Sequence, residues 1–178
     1  MSRNTLLALA LTGILWGCTT YPQCKTETQQ PDGRPPVIVD HYAAKEISPG
    51  NSWRVYLRAK QGDGAMKHIV AIVTQRGRGP YATCFIAIKP EESKQFAGFF
   101  FLRTPPNPNL TQDQFTMKVR VSDCQGNETE PLEFTLNFEL GASQVVPDSW
   151  KPVADHKLGA LMIDIKSTMP MTGPIMGR

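Results

Sequence analysis

Residues 132–140, LEFTLNFEL, alternate apolar and polar side chains without interruption. Because successive side chains of a β-strand point to opposite faces, this stretch predicts a strand with one buried and one solvated face. We expect Phe134 and Phe138 to point inward with the leucines, and Glu133 and Glu139 to point outward. Burying five such apolar side chains contributes roughly 8–15 kcal/mol at about 1.5–3 kcal/mol each, so a second layer must cover the strand.

Two further runs show the same period of two. Residues 53–59 and 115–122 alternate in this way, and four less regular strand candidates are Val37–Tyr42, His68–Gln75, Ala82–Lys89 and Gly98–Arg103. Turn-forming Gly, Pro, Asn and Asp residues separate the runs. About seven short strands over residues 37–141 predict an all-β fold, a two-sheet antiparallel sandwich of immunoglobulin-like type. A closed barrel is the alternative.

The segments Val119-Arg-Val-Ser-Asp-Cys-Gln-Gly-Asn127 and Trp53–Gly64 carry a resemblance to a known family. They are similar to the end of the penultimate strand, and to the second strand with its acidic glycine turn, in bacterial immunoglobulin-like and cadherin-like repeats. Those repeats mostly serve as adhesive or spacer modules on cell surfaces. The resemblance implies that Asp123 and Asn127 stabilise a turn; a Ca²⁺ site with the acidic residues that follow is the alternative.

Composition and charge exclude several classes of protein. The chain has 178 residues, of which 40% are hydrophobic and 20% charged, so it can form one domain with tails and is not disordered throughout. Its net charge of +3 does not indicate a nucleic-acid binder. Beyond the N-terminus we expect no membrane span, because no apolar stretch approaches the required length.

The N-terminus has the pattern of a bacterial export signal. Arg3 precedes an apolar run, residues 6–16, that is too short to span a bilayer. It ends in Leu15-Trp-Gly-Cys18, which resembles the lipobox of bacterial prolipoproteins, although Trp16 departs from the usual small residue. The resemblance implies removal of residues 1–17, acylation of Cys18 (lipoprotein, palmitate) and, because Thr19 follows, an outer-membrane location facing the periplasm or the cell surface. An ordinary secretory signal is the alternative.

The regions on either side of the predicted sandwich are less regular. Residues 18–36 are polar and turn-prone, and we expect a flexible tether with a reach of roughly 20–25 Å. Residues 142–178 are predicted to form a partly disordered C-terminal extension. Within it, Gly159–Ile165 could be one extra strand or a short helix, and residues 169–178 are expected to be disordered.

Three cysteines remain when Cys18 is assigned to lipid. An exported protein meets an oxidising compartment, so we expect a disulfide. Cys84 lies within a predicted strand and Cys124 ends another, and we favour a bond between these two. The alternative links Cys24 to either of them and pins the tether to the domain.

No catalytic constellation, metal-ligating spacing or phosphate-binding loop is visible, and we expect no enzyme activity, cofactor or metal. Residues 45–103 contain ten basic and four acidic residues, which indicates either an ordinary mixed surface or a basic face near anionic lipid or glycan. The consecutive phenylalanines of residues 98–102 predict a strand covered on both faces or a patch for a partner. The leading hypothesis is a lipid-anchored, non-enzymatic envelope module that contacts protein or glycan. The alternative is a periplasmic assembly factor or an accessory subunit of an envelope complex.

Overall fold

The computed structural model describes residues 33–168, which form ten β-strands and three short 3₁₀ helices. The strands are β1 (Val37–Ala43), β2 (Glu46–Ile47), β3 (Ser52–Lys60), β4 (Met66–Gln75), β5 (Gly79–Pro80), β6 (Cys84–Ala87), β7 (Gln95–Arg103), β8 (Gln114–Asp123), β9 (Leu132–Phe138) and β10 (Lys157–Leu161). The 3₁₀ helices are Pro90–Glu92, Pro108–Gln112 and Asp148–Val153. The seven strands expected from the sequence are all present, and β2, β5 and β10 are additional.

The strands form two sheets whose order is that of an immunoglobulin-like sandwich. The first sheet has the order β1-β3-β7-β10, and the second has the order β2-β9-β8-β4, with β5 and β6 both pairing with the outer edge of β4. In an immunoglobulin domain one sheet holds strands A, B, E and D, and the other holds G, F and C with extra strands beside C. Thus β1, β3 and β7 occupy the places of A, B and E, and β9, β8 and β4 those of G, F and C. The predicted all-β, two-sheet fold is confirmed.

Two strand pairs depart from the purely antiparallel sandwich that the sequence predicted. β2 pairs with β9 in parallel, and β10 pairs with β7 in parallel, whereas the other pairings are antiparallel. β10 reaches β7 from a 3₁₀ helix rather than through a hairpin, and parallel neighbours require such a crossover. This C-terminal strand occupies the edge position that strand D takes in an immunoglobulin domain.

The alternation in β9 has the predicted consequence. Phe134, Leu136 and Phe138 are buried between the sheets, and Glu133 is exposed. Leu140, in contrast, is 69% exposed, because β9 ends at Phe138 and the chain then turns through a glycine at position 141 with a φ of 81°. The inward set expected from the sequence was therefore correct except at its C-terminal end.

The chain beyond residue 141 belongs to the packed unit. Trp150 is 2% exposed and packs with Tyr56 and Phe99 on the outer face of the first sheet. Leu161 and Ile165 lie in the main core between the sheets. The domain therefore extends to the last described residue rather than ending near residue 141, and a strand is the correct interpretation of residues 159–161. The predicted disordered tail, 169–178, lies outside the described residues.

Two glycines allow β10 to lie close to its neighbours. A Cβ at Gly98 would lie 2.6 Å from the carbonyl oxygen of His156, and one at Gly159 would lie 2.5 Å from Cγ2 of Ile86. β10 thus contacts β7 in one sheet and β6 in the other, and it closes this side of the sandwich. Within residues 33–168, no helix has the length and apolar character needed to cross a membrane.

Candidate functional site

The predicted disulfide between Cys84 and Cys124 is wrong. Cys84 is a free, half-buried thiol whose pKa is raised by burial, and its Sγ lies 3.7 Å from the carbonyl oxygen of Ala82. Cys124, in contrast, is disulfide-bonded. Cys18 and Cys24, the other two cysteines of the chain, lie outside the described residues, so the lipidation site remains a prediction.

Strand register explains why the two cysteines do not meet. Cys84 is paired with Ala71 of β4, whereas the backbone N–H of Cys124 donates to Ala65, just before β4, on the opposite side of that strand. Six residues of strand correspond to roughly 20 Å, and a disulfide cannot bridge Cα atoms more than about 7 Å apart. The strands were predicted correctly, but their register was not available from the sequence.

Asp123 holds the turn that follows β8. One carboxylate oxygen accepts hydrogen bonds from the backbone N–H groups of Gln125 and Asn127, both at 2.8 Å, and the other accepts from the Asn127 side chain at 2.9 Å. Asp123 and Asn127 are both buried. This geometry confirms the turn-stabilising role implied by the family resemblance. Among the described residues no group of His, Cys, Asp and Glu side chains is arranged to hold a metal ion.

His156 and Glu92 form a clasp between the C-terminal segment and the loop before β7. Nε2 of His156 lies 2.7 Å from Oε1 of Glu92, and Nδ1 lies 2.8 Å from the carbonyl oxygen of Ala97. Glu92 is only 12% exposed at its side chain. Both ring nitrogens of His156 are thus directed at acceptors within the protein, so the imidazole joins the C-terminal segment to the loop before β7 and to β7 itself.

This clasp lines a cleft of about 380 Å³ on the outer face of the first sheet. Its other polar lining groups are Arg58, Lys60 and Gln95. Arg58 is paired with Asp40 at 3.5 Å and lies over the Trp150 ring at 5.1 Å. No serine, threonine or cysteine is among the described residues that line the cleft, so His156 has no hydroxyl or thiol to activate there and the arrangement serves to fasten the C-terminal segment.

A second polar cluster fixes the end of the described chain. The buried Gln75 side chain donates to the carbonyl oxygen of Lys166 at 2.8 Å and accepts from the Tyr81 hydroxyl. Asp113 accepts hydrogen bonds from the backbone N–H and the hydroxyl of Thr168. Burial would raise the pKa of Asp113, but these hydrogen bonds, together with those from Gln75 and Ser167, lower it. The C-terminal segment is thus attached at both sheets.

The outer faces of the two sheets differ in what covers them. Phe99 and Phe101 of the phenylalanine run are packed beneath the C-terminal segment, which confirms the prediction of a strand covered on both faces. On the second sheet Phe85 is 65% exposed, and its ring lies edge-on to His68 with 5.8 Å between centroids. Burial, and to a lesser degree the charge of Lys67, lowers the pKa of His68. Sequence reasoning missed this exposed aromatic pair, because it depends on the register of β6 against β4.

Comparisons with known proteins add two distant structural likenesses. No family model matches the chain, and no curated protein matches it. The sporulation control protein Spo0M of Bacillus subtilis aligns with 60% of the chain at 10% identity and a TM-score of 0.42, and the chain spans half of that protein's length. A CARDB domain from Pyrococcus furiosus, solved in complex with di-metal ions, aligns over its whole length with 68% of the chain at 12% identity and a TM-score of 0.35. The fold assignment rests on the strand order described above.

Proposed function

We propose that this chain is a lipid-anchored lipoprotein of the bacterial envelope, whose immunoglobulin-like domain is a non-enzymatic binding or structural module. The observation that carries the proposal is the Leu15-Trp-Gly-Cys18 motif at the end of a short apolar segment. Two or three acyl chains on one residue form a stable anchor, whereas a single chain gives only reversible binding. The outer membrane is the location we propose, on the basis of Thr19.

The domain is suited to presenting a surface rather than to catalysing a reaction. The titratable side chains of its cleft are engaged with each other, as His156 is with Glu92. The Asp123 carboxylate accepts hydrogen bonds from the backbone of its own turn. The open outer face of the second sheet, with Phe85, Val70 and His68, is the kind of surface that a protein or glycan could contact.

We further propose that Cys24 is the disulfide partner of Cys124. Cys84 is free, and Cys18 is assigned to lipid in this proposal. The described chain begins at Gly33, and a Cβ there would lie 3.0 Å from the side-chain oxygen of Gln125, which follows Cys124 directly. The nine residues back to Cys24 can span at most about 30 Å, so the bond is within reach. Such a bond would leave five residues, 19–23, between the acylated cysteine and the cysteine that is bonded to the domain.

Replacement of the acylated residue tests the anchor. In Cys18→Ser we expect incorporation of a fatty-acid analogue to be abolished and the protein to leave the membrane fraction. Cys84→Ser is the matched control and should retain both label and membrane association. Equal labelling of Cys18→Ser and the unmodified chain would contradict the lipid anchor.

Peptide mapping of the non-reduced mature protein tests the disulfide. We expect a peptide that contains Cys24 joined to one that contains Cys124, with Cys84 open to alkylation. A Cys124 peptide joined to Cys18 would show that Cys18 is not acylated in that molecule, and would therefore count against both proposals.

The assembly-factor alternative depends on strand addition at a free sheet edge. β1 is the longest edge strand, but its pairing with β3 is interrupted between Ile38 and Asp40. Past the end of β1, the side chain of Gln144 makes two hydrogen bonds to the backbone of Arg54 in β3, at 2.9 and 2.6 Å. It takes the position beside β3 that one more residue of β1 would occupy. Such interruptions protect sheet edges from further pairing, so these features favour the module over the assembly factor.

A further inference from the structure

We infer that one end of the domain binds an anionic lipid surface through a lysine patch, defined as Lys60, Lys67, Lys89 and Lys94. This inference rests on the proposed lipid anchor, because it names the surface that the anchored domain meets. The partner is identified by its chemistry, a plane of phosphate headgroups with net negative charge.

Strand pairing brings the four lysines together around one loop. Lys60 at the end of β3 lies beside Gln95, the residue after Lys94, and the carbonyl oxygen of Lys94 accepts from the N–H of Gln61 at 2.8 Å. The backbone carbonyl oxygen of Lys67, near the start of β4, accepts a hydrogen bond from the N–H of Ile88 at 2.9 Å, and Lys89 follows Ile88 directly. The loop between Ile88 and Gln95 therefore links all four positions at the same end of both sheets.

The lysines of the patch are exposed, and none of them forms an ion pair with a described residue. The acidic groups at this end are mostly engaged: Asp63 is paired with Arg34, Glu92 with His156 and Glu128 with Arg120. Glu91 and Glu130 are exposed and have no ion pair within residues 33–168. The exposed groups without an ion pair around this loop are thus the four lysines against Glu91 and Glu130, while the Asp123 carboxylate at the same end is buried and hydrogen-bonded within its own turn. The exposed charge here is mainly positive and complements an anionic plane.

The path of the N-terminal chain places this end toward the membrane. The described chain enters at Gly33 and Arg34, and Arg34 is bound by Asp63 through its backbone N–H and its guanidinium, at 2.9–3.0 Å. A Cβ on Gly62 would lie 1.9 Å from the carbonyl oxygen of Arg34, so the segment lies directly against the turn after β3. Val37, the first residue of β1, then pairs with Lys60 itself. A lipid attached to the tether would therefore hold the lysine patch near the headgroups.

Vesicle co-sedimentation of a chain that cannot be acylated tests the patch without the anchor. The probe protein is residues 18–178 with Cys18→Ser, and the vesicles contain either phosphatidylcholine alone or phosphatidylcholine with phosphatidylglycerol. A lysine near an anionic leaflet strengthens binding by about fivefold. We expect binding to the anionic vesicles at low salt, little binding to the neutral ones, and a loss of at least tenfold in Lys60→Gln/Lys94→Gln.

A matched double variant at the opposite end separates this surface from general electrostatics. Arg76 and Arg78 are exposed on the turn after β4, about 30 Å along that strand from Lys67. Arg76→Gln/Arg78→Gln removes the same charge and should reduce vesicle binding by less than half. Equal losses in the two double variants would overturn the inference, as would equal binding to neutral and anionic vesicles.

The vesicle assay and the labelling of Cys18 can fail separately. Loss of fatty-acid labelling with intact vesicle binding would remove the anchor and leave the lysine surface. Intact labelling with no preference for anionic vesicles would leave the anchor and overturn the lysine surface. Lys60→Gln/Lys94→Gln is also applied to a sulfated polysaccharide column. If this variant still bound anionic vesicles but no longer bound the column, the lysines would be assigned to glycan and the lipid inference would be overturned.

Discussion

The outer faces of the two sheets meet water in different ways. The first sheet is covered by residues 148–154, where Trp150 packs on Tyr56 with 5.5 Å between the ring centroids. The second sheet has no such cover among residues 33–168, and its outer face carries Lys118 and Arg120, each paired with a nearby glutamate. One sheet is therefore buried on both faces and the other on only one.

This difference is encoded in the sequences of the strands themselves. β8 and β9 alternate apolar and polar residues, as expected for strands with one solvated face. β7 has buried residues at three consecutive positions, 98–100, which is possible only if both faces are covered. A break in simple alternation thus indicates a second layer, here supplied by the C-terminal segment.

The largest single-residue effect should come from β9, the strand with one buried face. Phe134→Ala removes a side chain packed between the sheets and should lower the free energy of unfolding by about 3–5 kcal/mol. Glu133→Ala changes the adjacent, exposed position and should alter the free energy of unfolding by about 0.5 kcal/mol at most, because the ion pair between Glu133 and Lys118 is exposed. Urea titrations of both variants would give the comparison, and similar midpoints would mean that β9 is not one-sided.

A somewhat smaller effect should follow from opening the covered face of the first sheet. Trp150→Ala removes the centre of the aromatic cluster and should cost about 2–4 kcal/mol, less than the full core value where the segment can detach locally. Val145→Ala, at a position 73% exposed in the same region, should cost within about 0.5 kcal/mol. If chemical denaturation showed Trp150→Ala as stable as Val145→Ala, the cover would contribute nothing to the fold.

The smallest of these effects concerns the acidic attachment of the C-terminal segment. Hydrogen bonds lower the pKa of Asp113 in the folded protein, so its contribution is present above its unfolded value, near 3.9, and is lost as the pH falls through the lower folded value. Asp113→Asn should cost about 1–2 kcal/mol at pH 7. The variant should also lose less stability than the unmodified protein between about pH 4 and pH 2, and parallel pH profiles would count against this role.

The parts of the fold that could be predicted from sequence are those with a local signal. Period-two alternation and turn residues depend on neighbours in the chain, and they located all seven of the longer antiparallel strands. The two-residue strands β2 and β5 are too short to produce a period. β10 lacks alternation, because Gly159 and Leu158 pack against both sheets, and its parallel pairing joins residues some sixty positions apart.

The candidate sites were less predictable for the same reason. The turn held by Asp123 was recognised because the residues that hydrogen-bond with one another there lie within four positions in the sequence. The relation of Cys84 to Cys124 depends on how far along β4 each neighbouring strand is placed, and the clasp between His156 and Glu92 joins two distant segments. A family resemblance in the turns carries no information on either.

The central claim about the fold is that the C-terminal segment completes the sandwich. Chains 18–168 and 18–141, compared by urea unfolding, test it most directly. The shorter chain lacks Trp150, Leu161 and Ile165, whose burial at about 1.5–3 kcal/mol each is comparable with the whole stability of a domain, about 5–15 kcal/mol. We predict a cooperative transition for 18–168 and none for 18–141, whereas cooperative unfolding of 18–141 at an unchanged midpoint would contradict the account.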